Sequence, residues 1–244
     1  MFFTPTVLKF ISTAFVPVGH TMYIYGGGWD PSDTKSGIET RVIGESGTWK
    51  TFFELQSSSY NYKNFLHCSA LGLDCTGYIG WVIYNTLNSK NGNEGFVYRS
   101  DILGYALEKR GLGIVTNEKD YFSHRCGDIF FSKKHHHAYI SLGLCDDGSA
   151  LILHSSPPGV MLSGTASKKK GESIAQKIAT DFMHDFYPQW SIKFPDSNRG
   201  IDYLSDYLCF RFYNVILPDP EGITLLNPRQ ILLNLKRFRE AKAL

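Results

Sequence analysis

The apolar positions of this chain change their period partway along it. In "TGYIGWVIYNTL", from Thr76 to Leu87, Ile79, Val82, Ile83 and Leu87 fall on one stripe of a helix, flanked by Tyr78 and Trp81. "DILGYALEKRG" predicts a second helix, capped by Ser100 and ended at Gly111 or Gly113. Strand-length runs follow: "GDIFF", "HAYISLGL", "ALILHSS" and "GVMLSG", with "CDDGS" as a hairpin turn between the second and third. The helical period returns over 172–186, where Ile174, Ile178, Phe182 and Phe186 share a face. "YLCFRFYNVIL" alternates like a strand. "NPRQILLNLKRFREAKAL" opens with Asn227 as N-cap and Pro228 at the first helical position, so it predicts a further helix. Helices first and an antiparallel sheet after make the expected fold class α+β.

The stretch up to about Asn64 is rich in Gly, Ser, Thr and aromatics. "YIYGGGWDPSDTKSG" reads as a strand end entering a loop, and its consecutive glycines allow a tight turn or a close backbone approach. "TWKTFFEL" predicts a short helix with Thr48 as its cap. No internal repeat is visible.

The hairpin "HAYISLGLCDDGSALILH" permits a register argument. Paired residues of an antiparallel hairpin share a constant index sum, and a turn centred near Cys145 and Asp146 sets it at about 291. His137 and His154 meet that sum. They are expected directly opposite each other, on one face and ~5 Å apart at Cβ. A solvated pair at a sheet end is one reading. A base with its orienter is the other, because a catalytic imidazole needs its second nitrogen held by a neighbour. Cys75 stands at the first turn of the predicted helix, where unpaired N–H groups favour an anion. Asp74 can cap that helix and Gly77 leaves room beside it. A thiol there is either a nucleophile, its pKa lowered by the helix start and a nearby imidazolium, or a buried small hydrophobe.

Composition narrows the classes. The chain of 244 residues is 43% hydrophobic and 14% aromatic, which suits a globular fold. A net charge of +2 gives no sign of a general nucleic-acid binder, and the Lys168–Lys170 cluster reads as a solvated loop. The cysteines, 5 in all, fit neither a disulfide framework nor a zinc pattern. No apolar run approaches the ~20 residues of a membrane span. The start, "MFFTPTVLKFISTAFVPVG", lacks the basic and continuous apolar regions of a signal peptide, so export is not visible.

Four segments together resemble the NlpC/P-sixty cysteine peptidases, papain-like hydrolases of bacterial cell walls. "LDCTGYIGW" resembles their nucleophile segment "DCSGxVxW", with Thr76 where Ser is commoner. "GDIFFSKKHHHAYISLG" resembles "GDLxFF…HVGIYLG", and "LILHSSPPGV" resembles "hHAP…GV". "MYIYGGGWD" resembles the upstream "PYVWGG". The segments occur in the family's order between Tyr23 and Val160. The resemblance implies a papain-like fold, with the cysteine at the N-terminus of a helix packed on an antiparallel sheet that carries the histidines. It implies Cys75 as nucleophile, His137 as general base, His154 as the orienting third residue and Tyr23 as the site tyrosine. Trp29, directly after the glycines, and Asp74 and Thr76, flanking the cysteine, complete the candidate substrate-binding set. The implied domain covers 1–195, with a C-terminal strand and helix extension over 196–244. The implied substrate is a peptidoglycan stem peptide or muropeptide, cut between D-γ-glutamyl and the diamino acid, with no cofactor and no metal. Transfer in place of hydrolysis stays open, as does the oligomeric state. The resemblance points to the cell envelope or beyond; the missing signal keeps the cytoplasm open. Two other classes remain. "HRC" and "HHH" (His124–Cys126 and His135–His137) offer ligands for zinc or copper, and the fold could serve recognition without catalysis.

Overall fold

The computed structural model describes residues 4–116, 124–169 and 171–243, with side chains described as far as residue 236. Its centre is the helix α3, Cys75–Leu87, in which every residue from Cys75 to Thr86 is buried. An apolar stripe would need only one covered side. Here α1 (Val7–Ala14) lies on one side and the sheet on the other, and the Tyr78 hydroxyl donates to the carbonyl of Ala14 at 2.8 Å. A helix that is apolar all round belongs in such a middle layer.

The sheet contains β1 (Met22–Tyr23), β2 (Gly72–Leu73), β3 (Gly113–Thr116), β4 (Ile129–Ser132), β5 (His137–Leu144), β6 (Ala150–Ser156), β7 (Gly159–Thr165), β8 (Asn198–Arg199) and β9 (Leu208–Phe212). Their order is β2-β1-β7-β6-β5-β4-β9-β3, with β8 pairing in parallel with β7. The sheet curls, and helices pack on it, so the protein is a mixed α+β fold. The four strands expected over 127–164 are present within about two residues at their ends, and of the alternating stretch 207–217 only Leu208–Phe212 is strand. On one face Ala138, Ile140, Leu142, Leu151 and Leu153 join the main core with Tyr78, Ile79 and Val82 of α3. The other face carries Phe130, Tyr139 and Ile152, covered by Leu204 and Tyr207. Alternation along a strand divides the two sets.

The remaining helices are α2 (Gly47–Glu54), α4 (Leu103–Lys109), α5 (Ile174–Phe186), α6 (Pro188–Lys193) and α7 (Pro228–Ala243). Asn227 caps α7 as expected: its side chain accepts from the Gln230 N–H while Gln230 accepts from the Asn227 N–H, both at 3.0 Å. Two expected caps differ. Ser46, not Thr48, caps α2, because the Thr48 hydroxyl donates instead to the Ala70 carbonyl at 2.6 Å. Helix α4 starts at Leu103 without a side-chain cap, after a turn in which Ile102 N–H bonds the Arg99 carbonyl. Ser100 therefore stands outside it.

The hairpin register also differs. Ile140 pairs with Leu153 and Ser141 with Ile152, an index sum of 293 rather than 291. The loop Cys145–Ser149 is longer than a two-residue turn, closed by the Cys145 N–H on the Ser149 carbonyl at 2.8 Å. A register irregularity between Ser141 and Leu144, where Gly143 has φ +106, adds a further offset. The shift is even, so His137 and His154 keep a common face but meet diagonally.

Candidate active site

The first residues of α3 are held by Asp74. One carboxylate oxygen accepts from Thr76 N–H at 3.0 Å, from Gly77 N–H at 2.7 Å and from the Thr76 hydroxyl at 3.2 Å. This is an N-cap in the ordinary sense. The glycine loop clamps it from the other side. The Asp74 N–H donates to the Gly27 carbonyl at 3.0 Å, and a Cβ on Gly77 would collide with that same oxygen. Gly28, at φ +87, presses against the Cα of Gly77. The glycines thus serve close approach, backbone to backbone, beside the cysteine. Strand β1 adds Tyr23 to the group, since it pairs with Leu73, two residues before Cys75.

Cys75, Tyr23, Trp29, Asp74 and Thr76 all line one cleft of about 800 Å³. The set expected from the sequence to meet substrate is therefore gathered in one place. Tyr25, His67, Arg99, Asp101 and His136 line it too. Sequence reasoning missed these because they come from four separate loops with no shared spacing. His136, next to the expected base, was within reach of a local argument.

The histidines meet at the open end of β5 and β6. His137 Nε2 lies 3.0 Å from His154 Nδ1. His154 is fully buried, and its Nε2 lies 3.0 Å from Ser163 Oγ and receives the Arg199 Nε–H at 3.3 Å. Tyr203 packs edge-on against both imidazoles, with ring centres 5.5 and 5.7 Å away. Arg199 and Tyr203 belong to a segment that no motif in the sequence singled out.

Cys75 meets β5 at Ala138, the neighbour of His137. The β5–β6 ladder runs from Leu144–Ala150 to Ile140–Leu153 and goes no further. The N–H of Ala138, just past that end, turns to the Cys75 sulfur. Alternation puts Ala138 on the α3 face and His137 on the face of Tyr139. The hydrogen bond of His137 runs to His154, and among the described residues none joins it to Cys75.

Electrostatics set the resting charges. Burial, then the Asp74 carboxylate, push the Cys75 thiol well above the ordinary range; the N–H groups of Ala138, Thr76 and Cys75 itself pull weakly the other way. Burial, then the Arg199 cation, then His135, bring His137 down to about 3. His154 is lowered well below the usual range by burial, Arg199 and His137. Asp74 is raised to about 6, chiefly by burial and against its hydrogen bonds to Gly77, Thr76 and Trp29. The free protein therefore holds a neutral thiol and two neutral imidazoles. The thiolate–imidazolium pair that position alone favours is absent from this resting state.

The His and Cys clusters do not form a metal centre: among the described residues no three of His, Cys, Asp and Glu come together as ligands. His124 stacks on Phe130 with ring centres 4.1 Å apart, and His135 stacks on Tyr207. No described helix is long and apolar enough to cross a membrane. Comparison of the chain with protein-family models, with curated proteins and with solved structures returns no match.

Proposed function

We propose that the protein is a papain-like cysteine hydrolase acting on short peptides that contain D-residues. The observation that carries this reading is the position of Cys75. It starts a capped, buried helix, opens onto a cleft of about 800 Å³ and rests against the backbone N–H next to His137. In this reading the Cys75 sulfur attacks a peptide carbonyl. His137, oriented by His154, takes the thiol proton and gives it to the leaving amine; the thioester then yields to water. The backbone N–H groups of Cys75 and Ala138, which rest on the sulfur, are the donors this reading assigns to the oxyanion; those of Thr76 and Gly77 are taken by Asp74. The resemblance of the four segments supplies the substrate class: stem peptides of peptidoglycan, cleaved after D-γ-glutamate.

Incubation with a synthetic D-γ-glutamyl–diamino acid peptide, followed by mass spectrometry, tests the reading. Wild type should release the diamino acid and carry a transient acyl mass on Cys75. Cys75→Ala should bind peptide without turnover, and hydrolysis retained in that variant would sink the proposal. A second reading is a recognition module on the same cleft, favoured by the neutral thiol and the neutral imidazoles. Peptide binding with no acyl-enzyme in wild type would select it.

A further inference from the structure

We infer that Arg199 fixes the tautomers of the His137–His154 pair and so keeps His137, in the resting protein, protonated at Nδ1 until the contact of Arg199 with His154 is released. The argument starts from the guanidinium. Strand β8 anchors the Arg199 backbone: its carbonyl accepts from Ala166 N–H at 2.8 Å and from Gln176 Nε2 at 3.1 Å. The other guanidinium nitrogens are engaged as well, one on the Asn198 carbonyl at 2.6 Å and one on Met161 Sδ at 3.1 Å. Among the described residues no carboxylate pairs with it. Its Nε–H points at His154 Nε2.

A guanidinium has donors only, so the nitrogen it faces must present a lone pair. His154 Nε2 is then unprotonated, and the Ser163 hydroxyl can only donate to it. The ring is neutral, so its proton sits on Nδ1. That N–H donates to His137 Nε2, which is unprotonated in turn. His137 carries its proton on Nδ1, the one nitrogen not used by the pair. The tautomers follow from this network of donors and acceptors. The free nitrogen of His137 is a donor, not an acceptor.

Withdrawal of Arg199 reverses the order. His154 can then protonate Nε2 and donate to Ser163 Oγ. The proton shared by the rings passes from His154 Nδ1 to His137 Nε2. His154 Nε2 takes one proton from solvent and His137 Nδ1 releases one, so the pair gains no charge. His137 Nδ1 now holds a lone pair. The consequence for catalysis rests on the proposed role of His137; the tautomers themselves do not.

The test is ¹⁵N NMR of histidine-labelled full-length protein near pH 7, with His137→Gln and His154→Gln used for assignment. Wild type should show both rings protonated at Nδ1. Arg199→Met should show both protonated at Nε2, and Ser163→Ala should keep the wild-type pattern. Nε2 protonation of His154 in wild type, or an unchanged pattern in Arg199→Met, overturns the inference. The wild-type spectrum alone can do so even should Arg199→Met not fold. A second readout separates this from the hydrolase reading. Cys75 alkylation should quicken at least about tenfold in Arg199→Met and slow again on adding His137→Gln, if His137 serves as its base. Flipped tautomers with unchanged alkylation would keep the Arg199 inference and remove the base assignment.

Discussion

Acid should unfold this protein through its buried imidazoles before it reaches the surface carboxylates. His137 falls from 6.5 to about 3 in the folded chain, and His124, buried beside Arg211, falls to about 4. Between those limits the unfolded chain binds more protons than the folded one, so stability drops as pH falls below 6.5. Moving from pH 7 to 4.5 costs about 2–3 kcal/mol for each of these two groups. Asp74 works in the opposite direction. Its folded pKa is raised, so the folded chain takes up its proton first and recovers about 2 kcal/mol over the same range. The net loss is about 3 kcal/mol, and His154, also lowered by burial, adds to it. At pH 4.5 the carboxyls of Asp30, Asp101, Asp147 and Asp206, all lowered from 3.8, stay ionised in the folded chain. Urea titration followed by tryptophan fluorescence, at constant ionic strength, measures the effect. With an m-value of about 3 kcal/mol/M the midpoint should move down by about 1 M. His137→Gln should flatten the slope by its own share. A midpoint that is unchanged or higher at pH 4.5 refutes the claim that these rings are buried neutral.

Other predictions concern single contacts. Gly77→Ala should cost about 2–3 kcal/mol in chemical denaturation, because its Cβ meets backbone that cannot yield, whereas Gly47→Ala, at the open first turn of α2, should cost nothing. Arg211 holds the buried Asp128 with two bonds, of 2.8 and 2.6 Å; Arg211→Met should destabilise by about 3–5 kcal/mol, and Arg211→Met with Asp128→Leu should recover much of it. Asp74→Asn should keep the cap yet remove the charge beside Cys75, so iodoacetamide should label Cys75 faster at pH 7.5 than in wild type, where exposed Cys68 reacts first. An equal or slower Cys75 rate in Asp74→Asn would show that the carboxylate does not set the thiol's reactivity.

Local chemistry wrote much of this architecture into the sequence. The alternation in "HAYISLGL" and "ALILHSS", the Asp74 cap and the glycine run each act within a few residues, and each produced the element expected of it. The common face of His137 and His154 was legible because parity survives an even shift. Their diagonal contact was not, because it depends on a loop length and an irregularity at Gly143. That Ala138, and not His137, turns to Cys75 was not legible, because it depends on which face of β5 packs on α3. Arg199 and Tyr203 were invisible for a different reason. "PDSNRGIDYL" carries no period at all, and its place over the histidines is decided by β8 pairing with β7, across more than thirty residues of chain.

The position of β9 governs the order in which the molecule can be assembled. This strand lies between β4 and β3, pairing Phe210 with Ile129 and with Val115, although it is made about eighty residues after the first and about ninety-five after the second. During synthesis α3, the cleft glycines and both histidine strands leave the ribosome while β4 still has one open edge and β3 has no strand partner. Such edges invite pairing with other chains. Contacts this distant along the sequence close late. A nascent chain stalled before Leu208 would thus hold its cysteine and histidines yet present two unprotected strands. Truncation before Leu208 should therefore promote aggregation, with the chemistry-bearing residues all still present.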